Sequence, residues 1–270
     1  MREVDDALSH AYARQGRDAE RAASDAGSPP APHLPARRTS AGRPSRVFLP
    51  PEAGPTPATV GGVALEWPEV VSVLEKSWGD RFRQMADRIL EARERKGVRV
   101  LLFTSCHRAE GRTTLVLTLA RTLARRPLKT LVVDADLSGP MLARSLGLQP
   151  EVGLDDVVED GKAIEDALIE APGDHLWVLP MRAAVARPRD FLASAAWACA
   201  MAKLRRDFDL VLIDGSPLFT GLSAAVMHRS VDAAVLVHNR DATGQRSILR
   251  AREVLEAGGV PLLGLAETFA

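Results

Sequence analysis

An α/β fold follows from three observations on this sequence. Apolar, β-favouring runs recur through residues 98–270, each stops at a polar or acidic residue, and stretches with helical spacing lie between them. That alternation predicts right-handed βαβ units and a mostly parallel sheet with helices on both faces. A disordered Pro/Ala/Arg-rich arm, 1–65, and a helical segment, 66–97, precede it. In such sheets ligands gather outside the carboxyl ends of the strands.

Half of the 18 prolines fall between Pro29 and Pro57, among Ala, Ser, Gly and Arg, a composition that builds no core. Residues 5–23 carry the pattern of a polar helix. The basic residues Arg37, Arg38, Arg43 and Arg46 read as a solvated linker ahead of a contact for a partner or a lipid headgroup. In 66–97, Phe82, Met85, Ala86, Ile89 and Leu90 recur at helical spacing, and Gly97 supplies the stop. The sheet then opens with 98–103. Further strands are expected at 130–133, ending at Asp134, at 175–179, at 210–213, ending at Asp214, at 233–237, before Asn239, and at 261–266. Helices are expected at 115–124, 140–146, 163–169, 188–203, 223–229 and 244–256.

Formal net charge is +0, so no bulk electrostatic case exists for nucleic acid. Cys106 and Cys199 stand alone, which suits a reducing compartment. The first residues lack the apolar segment of a signal peptide, and no apolar run is long enough to span a bilayer. A cytoplasmic protein without its own transmembrane segment is expected, with docking at the inner membrane through a partner left open. The six histidines have no metal-ligand spacing, and no Ser-His-Asp order stands out. Trp177 and Trp197 read as core.

The chemistry concentrates at 98–114, VRVLLFTSCHRAEGRTT: a strand, a short polar loop and the start of a helix. Such a loop offers backbone N–H groups and a positive helix end to an anion. The phosphate-loop pattern GxxxxGK(S/T) matches at Gly111 and Thr113, whereas Cys106 stands at its first Gly and Arg112 at its Lys. The expected nucleotide-binding residues are Cys106, His107, Arg108, Ala109, Glu110, Gly111, Arg112, Thr113 and Thr114. Thr113 and Asp214 are candidates to hold Mg²⁺. Asp134 and Asp136, two apart at a strand end, are expected to point the same way, either to bind metal or to act as base on an incoming hydroxyl. The expected catalytic set is Arg112, Asp134 and Asp136, and the metal set is Thr113, Asp136 and Asp214. Cys106 reads as small-residue packing ahead of a redox-sensitive thiol.

With these motifs in view, 98–266 resembles the bacterial tyrosine kinases of exopolysaccharide and capsule synthesis, within the ParA/MinD-like P-loop ATPases. The family loop, roughly TSxxPGEGKST, is matched by TSCHRAEGRTT. Its second acidic motif, roughly hhhhDxDxR, is matched by TLVVDADLS at Asp134 and Asp136, and its DhhhhDxPP by DLVLIDGSP. LGLQPEVGLDDVVED resembles the family's Gly-Leu segment with a short helix, and LWVLPM followed by PRDFLAS resembles its LxVLPxG…NPxELLxS. The residues from Asp80 to Met85 resemble its EAFRxL oligomerisation motif, with Phe82 and Arg83 retained and Asp80 in place of Glu. The resemblance implies a P-loop NTPase sheet and ATP with Mg²⁺ as cofactors. It also implies homo-oligomers through Asp80–Met85 and a membrane polysaccharide copolymerase, or chain-length regulator, as partner.

Four departures bear on activity. Arg112 replaces Lys, and Ser138 stands where the second acidic motif carries Arg. Thr268 stands near the position of an adenine-reading Asn. The chain ends at Ala270 with Tyr12 as its only tyrosine, so self-phosphorylation on a C-terminal tyrosine cluster is not expected. Three readings stay open: an ATP-dependent kinase-type protein regulating polysaccharide synthesis or export, a weakened pseudo-kinase that switches or assembles, and a ParA/MinD-like partitioning ATPase. The last would prefer a Lys early in the loop, where His107 and Arg108 stand.

Overall fold

The computed structural model describes residues 62–220 and 230–268. The arm through residue 61, with its basic patch, its helical pattern and Tyr12, lies outside the described residues, as does the helix expected at 223–229.

Seven strands form one sheet in the order β3-β4-β2-β5-β1-β6-β7. They are β1 (Val100–Ser105), β2 (Thr130–Ala135), β3 (Ile169–Ala171), β4 (Leu176–Leu179), β5 (Leu210–Gly215), β6 (Ala233–Asn239) and β7 (Leu262–Thr268). All pairings are parallel except that of β3 with β4. β1, β2 and β5 are buried along their whole lengths, as the central strands of a sheet covered on both faces must be.

Strand alternation sends neighbouring side chains to opposite faces. Leu101 and Phe103 join the core beneath α1 (Glu69–Lys96) and α2 (Arg112–Leu123). Val100 and Leu102 join the opposite core with Trp197, Met201 and Leu204. On α2 the buried stripe includes Leu115, Leu119 and Leu123, each contributing about 1.5–3 kcal/mol by leaving water. α1 buries Val71, Ala86, Ile89 and Ala92, and Phe82 and Met85 pack against the same core. Gly97 ends it in the left-handed region at φ 70°, with its N–H on Ala92 and Arg93 carbonyls. α1 kinks at Trp78, where φ is −129° and ψ is 15°.

The remaining helices are α3 (Leu142–Ser145), α4 (Leu154–Glu159), α5 (Ile164–Ala167), α6 (Pro188–Ala193), α7 (Ala195–Asp207) and α8 (Gln245–Ala257). Two sequence expectations are corrected here. The helix expected at 163–169 stops at Ala167, and the chain turns extended into β3. The helix expected at 188–203 is two helices divided at Ser194, whose ψ of 150° breaks the first and whose Oγ accepts the Trp197 N–H to cap the second. Trp197 is core as expected, with Nε1 donating to Ser230 Oγ at 2.9 Å, whereas Trp177 is only half-buried. Among the described residues, no helix is long and apolar enough to cross a membrane.

Candidate functional site

The carboxyl ends of β1, β2 and β5 converge as the topology requires. Asp214 sits beside Asp134 on one side and Phe103 on the other in the strand register. From β1 the chain runs through 106–111 into α2. Ala109 (φ 60°) and Gly111 (φ 76°) are both left-handed, which curls the loop amides inward. Gly111 occupies the N-cap of α2 with no side-chain cap, so no side-chain oxygen takes the first-turn amides and they suit an anion. Pro68, residues 108–114, Asp136, Gly139 and Met141 line a cleft of about 340 Å³ here.

Ala109 stands where the family pattern has Gly, in a conformation that costs a Cβ about 1–2 kcal/mol. Ala109→Gly is therefore expected to stabilise the domain by about 0.5–1 kcal/mol, after the extra chain entropy of glycine is subtracted. Thermal denaturation of the two proteins side by side measures it, and a lower midpoint for the glycine variant would count against loop strain.

Arg112 dominates the floor of the cleft. Its Nε donates to Asp214 Oδ1 at 2.6 Å, Nη2 to Asp136 Oδ2 at 2.9 Å, and Nη1 to Ser105 Oγ at 3.1 Å. Burial alone would lower the pKa of this guanidinium, but the charges and hydrogen bonds of Asp214 and Asp136 more than offset it, and the pKa lies above the usual arginine value. Thr113 Oγ1 donates to Asp214 Oδ2 at 2.6 Å. Asp136 Oδ1 accepts Ser216 Oγ at 3.1 Å and lies 3.7 Å from Arg108 Nη2. None of the four oxygens on Asp136 and Asp214 lacks a donor. Among the described residues, no cluster of three His, Cys, Asp or Glu side chains is arranged for a metal. The loop therefore fits phosphate, while the acids, folded in this way, leave no open place for Mg²⁺.

Asp134 stands apart from the expected catalytic set. β2 runs on to Ala135, and Asp136 lies beyond the strand, so the two neighbouring carboxylates engage different partners. The fully buried Asp134 carboxylate accepts N–H groups from Asp136 (3.1 Å), Met141 (3.0 Å) and Leu142 (2.8 Å), which ties the following loop to the strand end. Burial first, then the charge of Asp214, pushes its pKa up to about 7, against those backbone bonds.

The remaining loop residues hold the loop's shape. Glu110 is buried, accepts the His107 N–H at 3.1 Å, and accepts the Thr243 hydroxyl. Thr268 Oγ1 lies 2.8 Å from the Glu110 carbonyl and 3.0 Å from that of His238, so this residue, expected near the base, ties the loop to β6 and β7. The His107 ring packs edge-on against Phe219 with centroids 5.3 Å apart. Cys106 is fully buried and its thiol is pushed up to about 11, by burial first and Glu110 second, which fits the packing role ahead of a redox-sensitive thiol. Sequence reasoning missed Ser105, Ser216 and Thr243. The serines flank motif residues and were findable there, whereas Thr243 is 133 residues from its partner with no pattern to mark it.

No family model matches the chain. The tyrosine-protein kinase YwqD of Bacillus subtilis is 27% identical over 191 residues, 68% of this chain and 78% of that protein. The tyrosine-protein kinase CpsD of Streptococcus pneumoniae is 25% identical over 169 residues, 62% of this chain and 74% of that protein. The kinase domain of VpsO superposes with a TM-score of 0.63 at 25% identity, covering 68% of this chain and 91% of that domain. The chain is similar to the bacterial tyrosine kinases. The septum site-determining protein MinD of Pyrococcus horikoshii, in complex with Mg-ADP, matches with a TM-score of 0.52 at 27% identity over 62% of this chain and 68% of that one. The chain thus has a P-loop fold, and ATPases are among the proteins it is similar to. Against the kinase loop pattern, the Lys-to-Arg change at Arg112 falls on the side chain that organises both acids.

Proposed function

We propose that this chain is an ATP-binding protein of the bacterial tyrosine-kinase type that regulates exopolysaccharide or capsule synthesis or export. It works in the cytoplasm, against a membrane copolymerase or chain-length regulator. The observation that carries the reading is the curled loop 106–111 opening onto the uncapped start of α2, with Arg112 at its floor. The loop amides bind the phosphate chain, Arg112 and Arg108 neutralise it, and Asp136, the acid that lines the cleft, orients an incoming hydroxyl. Bound ATP supplies the phosphoryl group. On α1 the exposed Asp80 and Arg83 pair with one another at the surface, where a second copy could meet them.

A second reading, an assembly switch with weakened catalysis, is favoured by the engagement of Arg112 with both acids, because its bond to Asp136 must loosen before Asp136 acts as a base. Calorimetric titration with ATP tests the common part of both readings. Binding in the micromolar range is expected, reduced about tenfold or more in Gly111→Ala, whose Cβ strains the left-handed N-cap. No heat of binding from the folded wild type would reject the proposal. Hydrolysis and phosphotransfer assays on the same preparation then separate kinase from switch.

A further inference from the structure

In phosphate loops generally, a Ser/Thr hydroxyl and an acid at a neighbouring strand end hold Mg²⁺, while a Lys touches the phosphates. Here both metal-side groups are already occupied from within the chain. Arg112 lays one guanidinium across Asp214, Asp136 and Ser105. Thr113 turns its hydroxyl onto the remaining Asp214 oxygen, and Ser216 covers the remaining Asp136 oxygen. Arg108 approaches from the rim, so two carboxylates face two guanidinium groups.

We propose that Arg112 takes the place of the divalent cation, so that this chain binds nucleotide without Mg²⁺. The inference rests on the nucleotide binding proposed above. A lysine could not do the same: its ammonium is a single point charge, whereas the planar fork of Arg reaches both acids at once. The guanidinium carries five N–H donors, of which three are engaged, leaving two for phosphate oxygens. Those donors and Arg108 offer the phosphate oxygens charge-assisted hydrogen bonds from the chain itself, while the two guanidinium groups balance the two carboxylates that a metal would otherwise have to answer. The side chain is buried and permanently charged, so the cation does not exchange with solvent. A metal could enter only by displacing it from two acids that are themselves buried.

The test titrates the full-length chain with a methylanthraniloyl derivative of ATP, followed by fluorescence, once in Mg²⁺ and once in EDTA. Wild-type affinity is expected to agree within about twofold between the two conditions. Arg112→Lys frees oxygens on Asp136 and Asp214, and it is expected to bind about tenfold or more tightly in Mg²⁺ than in EDTA. A wild-type affinity that collapses in EDTA overturns the inference while leaving the proposed function standing. No binding in either condition overturns both. If Arg112→Lys is as indifferent to metal as the wild type, the assignment to Arg112 is wrong. The wild-type comparison alone decides the main point should that variant not fold.

Discussion

Arg112→Met is expected to destabilise the domain by about 3–5 kcal/mol, because it leaves two carboxylates buried without their cation. The side chains of Asp136 and Asp214 are 6% and 1% exposed, so water cannot replace the guanidinium. Methionine keeps most of the buried hydrocarbon, so the loss reports charge rather than volume. Asp214→Asn on its own should cost less, since Arg112 keeps Asp136. Combining Arg112→Met with asparagine at both acids should recover much of the loss, a non-additivity that independent sites do not show. Urea denaturation at constant pH measures all of these. The effect should change little between low and moderate salt, because a buried triad is poorly screened. A loss below about 1 kcal/mol would mean that the triad holds little of the site together.

Much of the fold was legible because the physics that builds it is periodic. Buried central strands read as apolar runs, and α2 announced itself through Leu115, Leu119 and Leu123. Gly97 marked the end of α1 because only glycine enters the left-handed region without strain. What escaped was short or non-periodic. β3 has three residues, too few to establish an alternation, and it pairs antiparallel at the sheet edge. Ser194 carried a readable capping signal, yet the apolar spacing on both sides hid the break. At the site, residue identities were legible but side-chain destinations were not. The same-side reading of Asp134 and Asp136 assumes a strand continuing through both, and β2 ends between them. Arg112 was visible as a departure from the loop pattern. That its long side chain turns back onto Asp136, Asp214 and Ser105 depends on strand ends brought together from as far as 102 residues apart.

Asp134 contributes a pH dependence to the stability of the fold. Its pKa rises from an ordinary 3.8 to about 7 on folding, chiefly through burial and then through Asp214. The folded chain therefore holds this proton more tightly than the unfolded chain. The resulting stability is complete below about pH 4 and is lost as pH rises through 7. Between pH 5 and pH 8 the loss from this one group should be roughly 2–3 kcal/mol. The acids whose pKa values are lowered, Asp156, Glu165, Asp207 and Asp232, work in the opposite sense, but their change falls below the ordinary carboxylate range and leaves this window flat. Asp134→Asn imitates the neutral form. It should flatten the slope between pH 5 and pH 8, while costing about 1 kcal/mol at acid pH, where one backbone N–H loses its acceptor. Denaturation midpoints of both proteins across the window give the difference directly. Parallel curves would mean that Asp134 is ionised in the folded chain and held by its three backbone bonds, with the charge of Asp214 answered entirely by Arg112.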